Sequence, residues 1–275
     1  MSVSKFITIN GIKLHYIDHG TEGKPPLVAV HGLTANAHNF DAIAPHLNSN
    51  YHVMALDVRG RGDSGWGPGI DYNAQTYVSD LTGFLDALKI ERVTLIGTSM
   101  GGMISILFAG GYPERVAKLV LNDIGPDIDP AGLARIGTYV GEAPTEFDDL
   151  RAVAEYYREH YPQMRKIPEA QLVEQVKWSV KQGPNGKLTW KMDPQVRKPV
   201  RGTVRQPDMW VPFARIEAPI LVVRGADSDI LASRTIARMK SVVRSVDSVE
   251  VPAVGHAPSL SEPEALSAIK TFLGA

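Results

Sequence analysis

The chain has 275 residues, 44% of them hydrophobic and 21% charged, which excludes a disordered polymer and leaves room for one large domain or two ordinary ones. Its 29 Lys and Arg against 30 Asp and Glu leave a net charge of −1, so no global basic field is available to hold nucleic acid. Cysteine is absent, which removes disulfide scaffolds, thiolate metal sites and cysteine nucleophiles together.

The N-terminal stretch MSVSKFITINGIKLHY carries no apolar core of signal-peptide length. The most apolar run, near Met103–Ala109, falls far short of the roughly 20 residues that a membrane span needs. A cytoplasmic protein is therefore expected. Phe6–Ile9 and Lys13–Ile17 flank Asn10-Gly11, a hairpin-turn signal. Apolar runs follow at Leu27–Val30, His52–Leu56, Val93–Ile96, Lys118–Leu121, Ile220–Val223 and Ser248–Val251. Most are nearly continuous in Val, Ile and Leu, the mark of strands covered on both faces. Helix-length segments such as Ala74–Leu88 and Gly101–Gly111 lie between them. The pattern predicts an α/β fold, doubly wound around a mostly parallel central sheet.

The alternation stops at Gly125, and no buried strand is predicted from there to about Asp208. Phe147–His160 and Glu169–Lys181 are the best helical stretches, separated by proline breaks. Residues 1–124 and 211–275 are read as the core domain, with 125–210 an inserted helical lid over the carboxyl ends of the strands. The lid is polarised. Between Lys177 and Arg205 stand eight Lys and Arg and one acid, Asp193; between Glu142 and Glu174 stand eight acids and four bases. Solvated helix faces explain this; attraction of an anionic substrate or an acidic surface is the functional alternative.

The stretch Val93–Gly102, VTLIGTSMGG, holds G-x-S-x-G between a strand and a helix. That context puts Ser99 on a tight turn with its hydroxyl clear of the sheet, and Gly97 and Gly101 are small because backbone comes close. A hydroxyl nucleophile needs a base. Of eight histidines only His160 and His256 follow Ser99, and His256 stands in a Gly-His loop just after the last predicted strand. It is the expected base. His15, His19, His38, His46 and His52 are read as surface or packing residues. Two acids compete to orient the imidazole: Asp229 in VVRGADSDIL, with Asp227 as its neighbour, and Asp123 in LVLNDIGP. Both stay open. The amides of Leu33, in the loop His31-Gly32-Leu33, and of Met100 are the expected oxyanion donors, with His31 a brace for that loop.

These residues resemble the α/β-hydrolase fold family. The resemblance rests on His31-Gly32-Leu33, on Asp57–Gly65 (DVRGRGDSG), on Gly97–Gly102 and on Gly255-His256, and covers nearly the whole chain outside the lid. It implies a serine carboxylesterase-like member with a helical cap, which takes no metal or organic cofactor. Many family members place the acid three residues after the glycine that ends the penultimate strand. Here that position is Ser228; other members use the strand end that corresponds to Asp123. Ser99 stands where relatives that open epoxides or displace halide carry aspartate, which disfavours those activities. Leu33-Thr34-Ala35-Asn36 lacks the glycine-rich loop frequent among carbon–carbon bond hydrolases.

The expected reaction is acyl transfer to Ser99 from carboxylic esters of small or medium size; thioesters and lactones would serve the same triad. A small-molecule receptor and a cofactorless perhydrolase on the same scaffold are the rival readings. The expected partners are a small-molecule ester-type substrate, no nucleic acid and no membrane, with a homodimer as the oligomeric state to test.

Overall fold

A computed structural model describes residues 2–68, 71–197 and 208–275. The chain opens with β1 (Val3–Ile9) and β2 (Ile12–Asp18), an antiparallel hairpin turned at Asn10 and Gly11. Both turn residues have positive φ, 49° and 74°, as a type I′ turn requires. Next come β3 (Pro26–Val30), the short α1 (Ala44–Leu47), β4 (His52–Leu56) and α2 (Ala74–Ala87). Then follow β5 (Val93–Thr98), α3 (Met100–Gly111) and β6 (Val116–Asn122). After β6 the chain leaves the sheet through α4 (Pro130–Glu142), β7 (Glu146–Phe147), α5 (Leu150–His160), α6 (Glu169–Val176), β8 (Val180–Gln182) and β9 (Leu188–Trp190). It returns through α7 (Trp210–Phe213), β10 (Ile220–Gly225), α8 (Ser233–Val242), β11 (Val246–Val251) and α9 (Pro263–Leu273).

Eight strands form one sheet in the order β1-β2-β4-β3-β5-β6-β10-β11. Only the pairings of β1 with β2 and β2 with β4 are antiparallel; the rest are parallel. Because side chains alternate across a strand, each inner strand feeds two cores. Val28 and Val30 of β3, Val93 and Leu95 of β5 and Ile220 and Val222 of β10 face one side, where Leu81, Phe84 and Met239 of α2 and α8 cover them. Leu27, Ala29, Ile96, Leu221 and Val223 face the other, against Leu47, Ile269 and Leu273 of α1 and α9. The near-continuous apolar runs are thus buried on both faces, as doubly wound sheets require.

The segment between β6 and β10 has a third apolar cluster of its own, including Phe147, Val153, Tyr156, Leu172, Val176 and Trp190. Two of its helices, α4 and α5, start where a carboxylate caps them: Asp129 accepts from the Ala131 amide and Asp149 from the Ala152 amide. The insertion carries the expected helices α4, α5 and α6, but the expectation that it holds no strand is corrected. β7, β9 and β8 form a three-stranded antiparallel sheet, so the predicted helix over Glu169–Lys181 stops at Val176. The cause is a hairpin over Gln182–Leu188, in which the Gly183 amide donates to the Lys187 carbonyl (2.7 Å) and Gly186 takes φ +81°. Its Asn185-Gly186 is the same turn dipeptide as Asn10-Gly11.

The passage from β5 into α3 is set by two glycines. A Cβ on Gly97 would stand 2.6 Å from the Gly101 carbonyl oxygen, and one on Gly101 only 2.0 Å from the Val30 carbonyl oxygen. Both obstacles are backbone, which cannot swing aside. Gly137 in α4, by contrast, has nothing within 4 Å of an added Cβ. Gly101→Ala is expected to cost ~4 kcal/mol or more, or to abolish soluble expression, since relief requires parting α3 from β3. Gly137→Ala is expected to gain about 1 kcal/mol from helix propensity alone. Denaturant melts of the two variants check the contrast.

Candidate active site

Ser99 sits between β5 and α3 with φ 50° and ψ −115°. A non-glycine residue at such a φ stores strain, roughly 1–3 kcal/mol, and needs its surroundings to hold it. The Ser99 amide donates to the Asn122 carbonyl (3.0 Å), while its own carbonyl accepts from the Met103 amide (3.0 Å). Asn122, at the end of β6, also donates through Nδ2 to Thr98 Oγ1 (3.1 Å) and to the Pro258 carbonyl (2.8 Å). One residue thereby ties the serine turn to the loop that carries His256.

His256 lies between two partners. Its Nε2 is 2.8 Å from Ser99 Oγ, and its Nδ1 is 2.8 Å from Asp123 Oδ2. The carboxylate can only accept, so Nδ1 carries the proton and Nε2 is left to accept from the serine hydroxyl. Asp123 follows β6 with φ 54° and is fully buried. Its carboxylate accepts from the Gly225 amide (3.0 Å) and from Ser228 Oγ (2.6 Å) in addition to His256. Three donors compensate the burial of its charge.

Of the competing acids, Asp123 is the one brought to His256 Nδ1. Asp229 instead receives Arg135 Nε and Nη2 at 2.5 and 2.9 Å. Arg135 holds the Asp229 carboxyl below the usual carboxylate range. Asp227 is exposed, and its amide donates to the Val254 carbonyl. Ser228 stands where many family members carry the acid, and it takes part in the site without being one. Its hydroxyl accepts from the Ile230 and Leu231 amides and points its proton at Asp123. The only signal was the absence of a carboxylate at a position where one is frequent.

The loop after β3 lies against the serine turn: a Cβ on Gly32 would be 3.6 Å from Ser99 Cβ. Leu33 and Met100 are both partly exposed at this contact, and Met100 opens α3, where backbone N–H groups lack helical acceptors. Arg61, 1% exposed, braces the loop from behind. Its Nε donates to the Leu33 carbonyl (3.2 Å), Nη1 to Tyr77 Oη (2.6 Å), and Nη2 reaches Met100 Sδ (3.5 Å). From the other side Thr34 Oγ1 shares a hydrogen bond with Tyr161 Oη (2.9 Å), and Asn36 Nδ2 donates to the Trp178 carbonyl (3.2 Å). Nothing local in the sequence marks these two bridges, which join residues more than a hundred positions apart.

His15 is not at the surface. It is buried against Asp57, with Nδ1 2.6 Å from Oδ2. His15, Asp57 and Asp63 place possible metal-ligand atoms within 4.8 Å of one another. The Asp57 carboxylate, however, already accepts from His15 and from the Ala37 and Asp63 amides, so its lone pairs serve to shape the loops. His31 does act as a brace: Nδ1 donates to the Gly32 carbonyl (2.7 Å) and Nε2 accepts from the Val58 amide (3.0 Å). That pair of bonds fits only the neutral ring, and burial lowers its pKa from 6.5 to about 4. Between those values the unfolded chain holds the extra proton and the folded chain does not. Stability is therefore expected to fall as pH falls through this window, by about 3 kcal/mol from this residue when pH 4 is reached. Urea melts between pH 7 and 4 check it: His31→Gln should be less stable at pH 7 and show a flatter pH slope. An unchanged slope would remove His31 as its source.

Residues 25–164 match the family model described as the alpha/beta hydrolase fold. A 3-hydroxybutyrate-oligomer hydrolase of Cupriavidus necator is 37% identical over 277 residues, covering 94% of this chain and 92% of the relative. A 2-(acetamidomethylene)succinate hydrolase of Mesorhizobium japonicum is 26% identical, covering 99% and 96%. Among solved structures, an alpha/beta hydrolase from Novosphingobium aromaticivorans superposes with a TM-score of 0.90 at 35% identity, covering 99% of this chain and 98% of the other. With a mostly parallel eight-stranded sheet and these relatives at near-full length, the chain belongs to the α/β-hydrolase fold family and is a hydrolase of that family.

Proposed function

We propose that the protein is a serine-dependent hydrolase of carboxylic esters of small or medium size. The observation that carries this reading is the unbroken relay from Ser99 Oγ through His256 to the buried Asp123, with 2.8 Å at each step. Within it, His256 Nε2 takes the Ser99 proton as Oγ attacks the ester carbonyl. Asp123 keeps the imidazole in the correct tautomer and stabilises the imidazolium that forms. The amides of Leu33 and Met100 receive the oxyanion of the tetrahedral intermediate. His256 returns its proton to the leaving alcohol, leaving an acyl group on Ser99. A water that gives its proton to His256 then attacks this acyl-enzyme, and collapse releases the acid and restores Ser99. None of these steps needs a metal or an organic cofactor.

The relatives support the bond type. Oligomers of a hydroxy acid, named as the substrate of the Cupriavidus necator relative, are joined through esters. Thioesters and lactones would enter the same sequence of steps, since each presents a carbonyl with a leaving oxygen or sulfur. The partner is a small molecule of that kind. Among the described residues no helix is long and apolar enough to cross a membrane.

The test is intact mass after exposure to a fluorophosphonate, beside turnover of a short-chain p-nitrophenyl ester. One adduct is expected on the native chain and none on Ser99→Ala, with turnover lost in parallel. No adduct and no turnover on the native chain would overturn the proposal. Asp123→Asn is expected to lose about 10⁴-fold in kcat at neutral pH, as a displaced tautomer does in such triads. Asp229→Asn should lose far less. Equal losses would show that Asp123 is not the orienting acid.

A further inference from the structure

The basic run of the inserted segment has its charges committed locally. Lys177 pairs with Glu174, Lys187 with Asp148 and Lys191 with Asp63, and Lys181 lies over the Trp66 ring. Arg197 donates to the Ala143 carbonyl (3.0 Å) and lies over the Trp190 ring, and residues 198–207, which hold the last three cations of the run, lie outside the described residues. A second cation beside the site, besides the buried Arg61, is Arg135 of α4, which lies outside that run.

Three observations place it. Its partner Asp229 is one residue beyond Ser228, which touches the same carboxylate oxygen of Asp123 as His256 does. The guanidinium carbon lies 5.7 Å from the centre of the Tyr139 ring. Tyr139 in turn packs edge-on against Tyr161 at 5.1 Å, and Tyr161 Oη reaches Thr34, the neighbour of Leu33. Arg135 and this aromatic pair thus form a chain of contacts from the neighbour of Ser228, on the His256 side of Ser99, to Thr34, on the Leu33 side.

The chemistry of the fork gives this position a purpose. A guanidinium has five N–H groups in one plane and can take two carboxylates, one on each edge. Asp229 occupies the Nε and Nη2 edge. The Nη1 edge has no hydrogen-bond partner among the described residues, and the side chain is 39% exposed. Asp229 therefore holds the plane in place, leaving the second edge to receive an anion.

We infer that Arg135, oriented by Asp229, binds a free carboxylate carried by the substrate, so that the preferred esters are those of carboxylate-bearing molecules such as short hydroxy-acid oligomers. This rests on the ester-hydrolase reading and narrows it to an anionic class. Such a bidentate, charge-assisted contact is expected to be worth roughly 10- to 100-fold in kcat/KM.

The experiment compares esters that differ only in that charge. On the alcohol side, the ester-linked dimer of 3-hydroxybutyrate is set against its terminal carboxamide. On the acyl side, mono-p-nitrophenyl adipate is set against p-nitrophenyl hexanoate. The native enzyme is expected to prefer the anionic member of at least one pair, and Arg135→Gln to lose about tenfold or more of that preference, read as the ratio of kcat/KM values. Arg135→Lys, which keeps the charge without the fork, should regain part of it. Independently of any variant, hexanoate should inhibit the native enzyme better than hexanamide. Turnover of both pairs with no preference for the anion, or a preference that survives in a folded Arg135→Gln, would overturn the inference while leaving ester hydrolysis intact. Failure of the parent reading looks different: no pair is cleaved and no fluorophosphonate adduct forms.

Discussion

The serine turn exists because backbone meets backbone beneath it. Gly101 sits so close to the carbonyls of Val30 and His31 that a single added carbon would collide with both. Gly97 faces Gly101 and Gly102 in the same way. The contact pulls the start of α3 against the end of β3, and that fixes where the β3 loop runs. Ser99 can then hold a positive φ without relaxing, because any relaxation would part three tightly packed chain segments. The register supports this: β5 lies between β3 and β6, with Val30 opposite Gly97 and Leu121 opposite the same residue on the far side. The side chains brought together at the carboxyl ends of β5, β6 and β10 are there as a result.

Burial of charge around this point follows one rule, that each buried ion is surrounded by its own donors or acceptors. Asp123 has three donors. Burial pushes the Asp57 carboxyl up, but the bond from His15 and the amide of Asp63 bring it below its ordinary range. Arg59 is held by both oxygens of Asp80. Arg61 differs, since its donors go to carbonyls, a tyrosine hydroxyl and a thioether, with the Tyr72 and Tyr77 rings beside its plane. Rings and carbonyl dipoles are weaker acceptors than a carboxylate but leave the positive charge unneutralised. That charge lies behind the residues assigned here to the oxyanion. His31 beside them is kept neutral, so one cation rather than two stands against that loop.

What could be read from the sequence was whatever depends on neighbours a few residues apart. The glycine spacing around Ser99, the apolar runs of the inner strands and the Asn10-Gly11 turn are all of that kind. The orienting acid was not, because both Asp123 and Asp229 follow a strand that ends beside the site. The choice rests on the positive φ at Asp123 and on Ser228 lying 105 residues away. The small sheet of the inserted segment was missed for another reason. Its strands are two or three residues long, too short for any period to show, and only the Asn185-Gly186 turn marks them. The basic run suggested an anionic ligand, yet three of its described lysines answer acids nearby in space; Arg135 has no charged neighbours in sequence to draw attention to it.

The inserted segment and the β3 loop are mechanically one unit. Trp178 stacks on His38 with ring centres 3.8 Å apart and planes 11° from parallel, and its carbonyl holds Asn36. Tyr72 donates to Asp193, and the Asp193 amide returns a bond to the Gly60 carbonyl. Together with Tyr161 on Thr34, these contacts fasten α5, β8 and β9 to the loops that flank Leu33 and Arg61. Burial pushes the Tyr161 hydroxyl well above the usual tyrosine range, so it meets Thr34 as a neutral group at neutral pH. The position of Leu33 is consequently decided from two directions, by Arg61 below and by the inserted segment above. A substrate group that packs on Tyr139 or Tyr161 therefore presses on the element that holds the proposed oxyanion donor, and binding remote from the carbonyl is coupled to the geometry at the carbonyl.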